Sequence, residues 1–192
     1  MDAHLAPVLR FAHSLLYACL KKGGRALDAT AGNGHDTLML AQCVGAEGKV
    51  WAFDIQPQAL ANTAARLQAA GAAAQVALIL AGHETLADYV DQPLDAAVFN
   101  FGWLPGGDKS CTTLAQTSVG ALEAALALLK PQGLLLAVLY PGHDAGAAEA
   151  RAVEAWAAAL PQQVYSVLKY GFINQVNCPP YLLAVERKAA PV

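Results

Sequence analysis

Arg25-Ala-Leu-Asp-Ala-Thr-Ala-Gly-Asn-Gly-His-Asp-Thr37 is a short apolar run that passes through a Gly-x-Gly turn into a helix start at His35-Asp36-Thr37. Such a turn lets backbone approach a ligand closely and aims the amides of a helix N-terminus at an anion. Taken alone, it is equally a tight strand-to-helix connection with no ligand. The next apolar run, Val50-Trp-Ala-Phe-Asp-Ile-Gln56, carries Asp54, 20 residues beyond Gly34. At that separation a carboxylate can take up the two hydroxyls of a ribose bound beside the first loop, so the two features together point to a nucleoside ligand.

Outward from this pair, short apolar runs alternate with longer Ala-rich stretches, the pattern of a parallel α/β sheet. Strands are expected at Arg25–Thr30, Lys49–Asp54, Gln75–Leu80, Asp95–Asn100 and Gly133–Tyr140, with helices near 35–44, 57–70, 84–91, 112–130 and 145–160. An amphipathic helix over 3–21 precedes them, because Leu5, Val8, Leu9, Ala12, Leu15, Leu16, Ala18 and Cys19 recur at helical spacing; Lys21-Lys-Gly-Gly24 ends it. On the long helix, Leu114, Val119, Leu122, Leu126 and Leu129 read as core. In the tail, Gln163–Phe172 and Tyr181–Arg187 are both strand-like, and the gap between them is too short for a parallel crossover. They must therefore pair as antiparallel neighbours. The expected fold is α/β and Rossmann-like: a seven-stranded, mostly parallel sheet with its last strand antiparallel, helices on both faces and an extra N-terminal helix.

The chain has 192 residues, which suits one domain, with residues 1–22 as the N-terminal helix and 25–188 as the core. With 56% hydrophobic and only 14% charged residues, disorder is excluded for its bulk. No apolar run reaches the roughly 18 residues of a membrane span. No secretory signal is evident at the start, so the cytoplasm is the expected compartment. A net charge of −3 excludes a global pull toward nucleic acid. Cys19, Cys43, Cys111 and Cys178 are far apart and the five histidines are scattered, so no metal site is expected.

The ligand need not be a dinucleotide. Where that fingerprint wants a third glycine the chain has Thr37, and Asp28 at the end of the first strand would repel phosphate while tolerating a cation. S-adenosylmethionine, a nucleoside carrying both a carboxylate and a sulfonium, meets these conditions. Its carboxylate would take the amides of the turn and helix start, around Gly32, Asn33, His35 and Asp36, and its ribose would take Asp54. Gln56 is placed beside the ribose or simply solvated. His83 and Glu84, after the third strand, lie where an adenine edge would sit, or cap the next helix.

The fourth strand stops at Asn100 and runs into Phe101-Gly-Trp-Leu-Pro-Gly-Gly-Asp-Lys109, a rigid loop at the sheet edge where α/β proteins bind ligands. The Asn100 oxygen can accept an N–H bond from an amine and aim its lone pair at the sulfonium methyl, with Phe101 or Trp103 packed alongside. Gly102, Leu104, Pro105 and Lys109 complete the acceptor-side loop. Methyl transfer needs alignment above all, so positioning groups suffice. Asp108 or Tyr140 is the candidate to receive or relay the amine proton, although for Asp108 with Lys109 a solvated ion pair is the plainer reading. Tyr140-Pro-Gly-His143 and the loop from Asn174 to Tyr181 are further candidate walls of the cleft, or rigid turns.

The runs Asp28–Thr37, Ala52–Gln56, Asn62-Thr63, Phe99–Ser110, Thr112-Thr113, Tyr140–His143 and Tyr170–Gln175 together resemble the bacterial class I methyltransferases formerly labelled rRNA methylases. Characterised members methylate the aminomethyl group of 5-aminomethyl-2-thiouridine at the tRNA wobble position. The resemblance covers nearly the whole chain. It implies S-adenosylmethionine as donor, the tRNA anticodon loop as partner and a homodimer. Asn33, His35 and Asp36 match the methionine side, Asp54 and Gln56 the ribose side, His83 and Glu84 the adenine side, and Asn100 the acceptor side. Phe101 and Trp103 stand where members often carry Leu and Tyr. The basic residues, among them Arg10, Lys21, Lys22, Arg25, Arg151, Lys169, Arg187 and Lys188, are dispersed in sequence. Recognition would then rest on unpaired bases. Alternatives are an rRNA or small-molecule amine methyltransferase, a nucleotide-dependent oxidoreductase, and a ligand-binding module without catalysis.

Overall fold

Stretches buried on both faces read as short apolar runs, and each of the seven expected runs forms a strand. The computed structural model describes residues 4–102 and 113–189. Strands β1 (Arg25–Asp28), β2 (Lys49–Asp54), β3 (Val76–Leu80), β4 (Leu94–Asn100), β5 (Leu129–Leu139), β6 (Tyr165–Tyr170) and β7 (Tyr181–Arg187) build one sheet in the order β3-β2-β1-β4-β5-β7-β6. The pairs from β3 through β5 are parallel; β7 runs antiparallel to both β5 and β6. The short tail connection forces that reversal, as its length requires.

Helices α1 (Val8–Cys19), α2 (His35–Val44) and α3 (Pro57–Ala69) cover one face, and α4 (Ala115–Leu128) and α5 (Asp144–Ala158) the other. Alternation along β4 shows the division. Ala96 and Val98 pack with Val8, Ala12 and Leu16 of α1 and Leu40 of α2, whereas Ala97 and Phe99 pack with Leu122 and Leu126 of α4 and Val153 of α5. No helix among the described residues is long and apolar enough to cross a membrane.

Five expectations shift, the first being Leu129, which stays buried but opens β5 instead of lying on the long helix. The first helix begins at Val8, not residue 3, because Pro7 occupies the N-cap and proline, lacking an N–H, is suited to the edge of a first turn. The helix expected at 84–91 is a 3-10 helix, His83–Asp88. Strand β5 starts at Leu129: Gln132 adopts φ 65° and the β4–β5 register slips between Leu94 and Ala96, so the strand passes through an irregularity before Gly133. Leu114 is not core. It precedes α4 as its N-cap and is 58% exposed.

Strand order reverses at β1, which lies between β2 and β4. Their carboxyl ends, with β5 beside them, open onto one cavity.

Candidate active site

Local chemistry shapes the first loop before any ligand is considered. Gly32 (φ 54°) and Gly34 (φ 75°) take left-handed backbone, and a Cβ on Gly34 would come within 2.8 Å of Thr63. Thr63 Oγ1 donates to Gly32 O (3.0 Å), Arg66 Nε donates to Asn33 O (2.7 Å), and Asn62 Nδ2 donates to Asn33 Oδ1 (3.0 Å). The turn is thus held from α3. The α2 amides that follow lack intrahelical acceptors, as at any helix start.

Asp54 ties this loop to the next. Its Oδ2 accepts from Gly32 N (2.9 Å) and its Oδ1 from Gln56 N (2.8 Å). Each oxygen keeps a further lone pair. Across the cavity, His83 is buried, and burial, against the smaller pull of Glu84 and Asp54, pushes its pKa below the usual value. Its ring meets Phe101 and Phe99 edge-on, and its Nε2 is buried without a hydrogen-bond partner among the described residues.

At the end of β4, Asn100 N donates to Thr30 Oγ1 (2.7 Å). Its side-chain Nδ2 donates to Asp36 Oδ2, while its Oδ1 is buried and unpartnered. Asp36 Oδ1 in turn bonds His13 Nε2 (2.7 Å), and this bond raises the His13 pKa against the opposing effect of burial. Tyr140 is pushed up by burial and by the charge of Asp36, so it offers a phenol rather than a base.

These groups line a single cavity of about 910 Å³. Of the expected residues, Gly32, Asn33, His35, Asp36, Asp54 and Gln56 form its first side, His83 and Glu84 the second. Asn100, Phe101, Gly102, Tyr140 and His143, expected on the acceptor side, form the third. Phe101 is 1% exposed and packs on Phe99, so it is wall more than stacking platform. Asp28 lies behind the cavity, not in its lining, and Asn174 is exposed outside it; Cys178 and Pro180 are what the β6–β7 connection contributes. Trp103, Leu104, Pro105, Asp108 and Lys109 fall outside the described residues. Sequence reasoning missed His13 and Leu9 of α1, and Leu114, all in the lining.

Thr37, the residue that spoils the dinucleotide fingerprint, has its own reason. Its Oγ1 donates to Asp28 Oδ2 (2.6 Å), and Thr30 N donates to Asp28 Oδ1 (3.2 Å). Burial, then the charge of Asp36, pushes the Asp28 carboxyl up to about 7 despite these bonds. The folded chain therefore keeps a proton there that the unfolded chain releases near pH 4, and stability falls as pH rises from about 4 to about 7. Asp28→Asn is expected to flatten that fall, so that it melts above the parent chain at pH 8. Thermal unfolding at pH 5 and pH 8 is the check, and parallel pH profiles for the two chains would contradict the assignment.

The cavity suits an adenosyl sulfonium compound. Two residues with an unpartnered buried polar atom, His83 (Nε2) and Asn100 (Oδ1), line a volume within the range of small-molecule sites, and a carboxylate with spare lone pairs stands between glycine-turn amides and the next loop.

The family described as "Putative rRNA methylase" matches residues 50–186. The chain is 37% identical over 189 residues to the chloroplastic tRNA (mnm5s2U34)-methyltransferase of Arabidopsis thaliana, an alignment spanning 92% of this chain and 68% of that one. The chain belongs to this methylase family. A "putative rRNA-methylase" structure from Clostridium thermocellum is 38% identical with a TM-score of 0.94, covering 96% of this chain and all of that one. A "putative methyltransferase" from Streptococcus mutans, solved in complex with SAH, is 36% identical with a TM-score of 0.88, covering 95% of this chain and 99% of that one. The methylase is Rossmann-like, and the S-adenosylhomocysteine held by the Streptococcus mutans relative is what S-adenosylmethionine becomes once it has given up its methyl group.

Proposed function

We propose that the methylase transfers the methyl group to the aminomethyl nitrogen of 5-aminomethyl-2-thiouridine at the wobble position of tRNA, reading the anticodon loop as a homodimer. One observation carries the choice of an amine: the buried, unpartnered Oδ1 of Asn100 at the end of β4. An oxygen in that state favours a ligand that brings an N–H, because leaving a buried acceptor unmade costs about 1–3 kcal/mol. The name of the Arabidopsis relative supports the nucleoside.

Bound S-adenosylmethionine supplies an electrophilic methyl carbon on a sulfonium. The chain's own groups bind and align. The α2 amides with Asn33 hold the carboxylate end, Asp54 the ribose, and His83, kept neutral by burial, the adenine edge. Asn100 orients the amine by accepting one N–H, so that the lone pair of the neutral nitrogen faces the methyl; as the N–C bond forms the C–S bond breaks, its electron pair staying on the sulfur of S-adenosylhomocysteine, and the proton of the alkylated ammonium leaves to solvent. Tyr140 lends a hydroxyl on the same side. Holding reactants in line is a large part of what a displacement of this kind requires.

The rim favours unpaired bases over duplex. Leu9, Ile55 and Leu114 line the cavity and are 44%, 58% and 58% exposed. Several cations are already engaged elsewhere: Lys22 donates to Gln42 O, Lys169 to Glu154, Arg187 to Leu129 O and Lys188 to Gln162 O. Apolar side chains that meet splayed bases suit a loop substrate better than a phosphate-binding face would.

Nucleoside mass spectrometry of undermodified tRNA incubated with the protein and S-adenosylmethionine tests the reading. The expected result is a gain of one methylene on 5-aminomethyl-2-thiouridine. No gain, or a gain on another nucleoside, overturns it.

A further inference from the structure

An asparagine amide has two ends of nearly equal size, and which one faces a cavity is decided by its partner. Here the partner is Asp36. A carboxylate only accepts, so it claims the Nδ2 end of Asn100 and leaves Oδ1 without a partner in a residue that lines the cavity. Without a carboxylate held against Nδ2, the amide would be free to turn its NH2 outward, where it would face an amine donor with a donor.

Asp36 stands in acidic company. Its charge raises both Asp28 and Tyr140, and Asp28 also feels Asp54. The described basic side chain that meets Asp36 is His13, whose Nε2 lies 2.7 Å from Oδ1 and whose side chain is one-third exposed at 33%. His13 comes from α1, whereas Asp36 lies in the first turn of α2 and Asn100 at the end of β4. That helix is seated by Val8, Ala12 and Leu16 in the core, by Phe11 stacked on Tyr170 (4.1 Å) and by Tyr170 OH donating to Ala6 O (2.8 Å). Leu9 and His13, one turn apart, are the two α1 residues that reach the cavity.

We propose that His13 is a positioning residue for methyl transfer, donating to Asp36 so that Asp36 holds the Asn100 amide with its oxygen toward the acceptor amine. This rests on the reading of Asn100 as the group that accepts the amine N–H. His13 does not touch the reacting atoms; it acts through two hydrogen bonds.

The test compares His13→Ala and His13→Gln on undermodified tRNA, with S-adenosylhomocysteine affinity measured by calorimetry and folding by thermal melts. Glutamine can place an N–H where Nε2 stands. Removing an outer partner of a working group typically costs about 10–100-fold, so His13→Ala is expected to lose that much kcat with its S-adenosylhomocysteine Kd within about twofold. His13→Gln is expected to recover most of the rate. Unchanged kcat in His13→Ala overturns the proposal, and so does a His13→Gln as slow as a well-folded His13→Ala. If the alanine variant fails to fold, the glutamine variant decides alone: near-parental kcat supports the hydrogen bond, and a large loss at unchanged melting temperature overturns it. A parent chain that leaves 5-aminomethyl-2-thiouridine unmethylated sinks the functional reading beneath. An active parent, a slow Asn100→Ala and a normal His13→Ala sink this inference only.

Discussion

Asn100→Ala is expected to lower kcat about 10²–10³-fold while the Kd for S-adenosylhomocysteine moves less than about threefold. The split follows from geometry. Asn100 N already spends its bond on Thr30 Oγ1, a backbone contact that alanine keeps, so the end of β4 stays in place. What is lost is the side chain, whose Oδ1 has no partner among the described residues and whose Nδ2 is fixed by Asp36. In the proposed function donor recognition belongs elsewhere in the cavity, to Asp54, the α2 amides and His83. Removing a preorganised polar group from a water-poor site raises the barrier with little effect on a ligand it does not touch. Single-turnover rates with saturating tRNA and donor measure the first quantity, and calorimetry the second. Equal losses in both would show that Asn100 belongs to the donor pocket and that the acceptor sits elsewhere.

How much of this was legible in the sequence depends on the range of each interaction. Strands buried on both faces announce themselves as apolar runs, so β2 and β7 match their expected limits, and the antiparallel β7 follows from a gap too short for a crossover. The spacing from Gly34 to Asp54 anticipates a carboxylate at the loop, and the structure shows that carboxylate bonded to Gly32 N. His13 was not legible. Helical periodicity sorts α1 into a core stripe and a polar remainder, and a histidine in the remainder reads as solvated surface until the helix is docked and one flank is found to overhang the cavity. Leu114 failed in the opposite sense. Its apolar side chain fits a helical core pattern, but α4 starts after it, at Ala115, and an extended residue at the N-cap points by its own backbone rather than by the helix. Asp28 and Thr37 are nine residues apart, and their bond explains a broken fingerprint that sequence could only note as a departure.

Asp54 carries the other large expected effect, and of the opposite kind. Asp54→Ala is expected to weaken S-adenosylmethionine and S-adenosylhomocysteine binding at least about 10²-fold, because hydrogen bonds to a charged group contribute about 1.5–3 kcal/mol each and a ribose would lose two. The loss has a second source inside the chain: Gly32 N and Gln56 N both spend their bonds on this carboxylate, at 2.9 and 2.8 Å, and without it the two loops on that side of the cavity are no longer tied. Asparagine is not a mild substitute here. The two amides approach different oxygens, so one of them would meet the NH2 of an asparagine, donor against donor, and only a carboxylate satisfies both. Asp54→Asn should therefore bind nearly as poorly as Asp54→Ala, while either variant, once saturated with donor, should turn over far faster than Asn100→Ala. Calorimetric affinities for both ligands that match the parent chain would remove the ribose from this position. Parental affinity in Asp54→Asn alone would show instead that the amide-to-carboxylate ties are not what shapes the pocket.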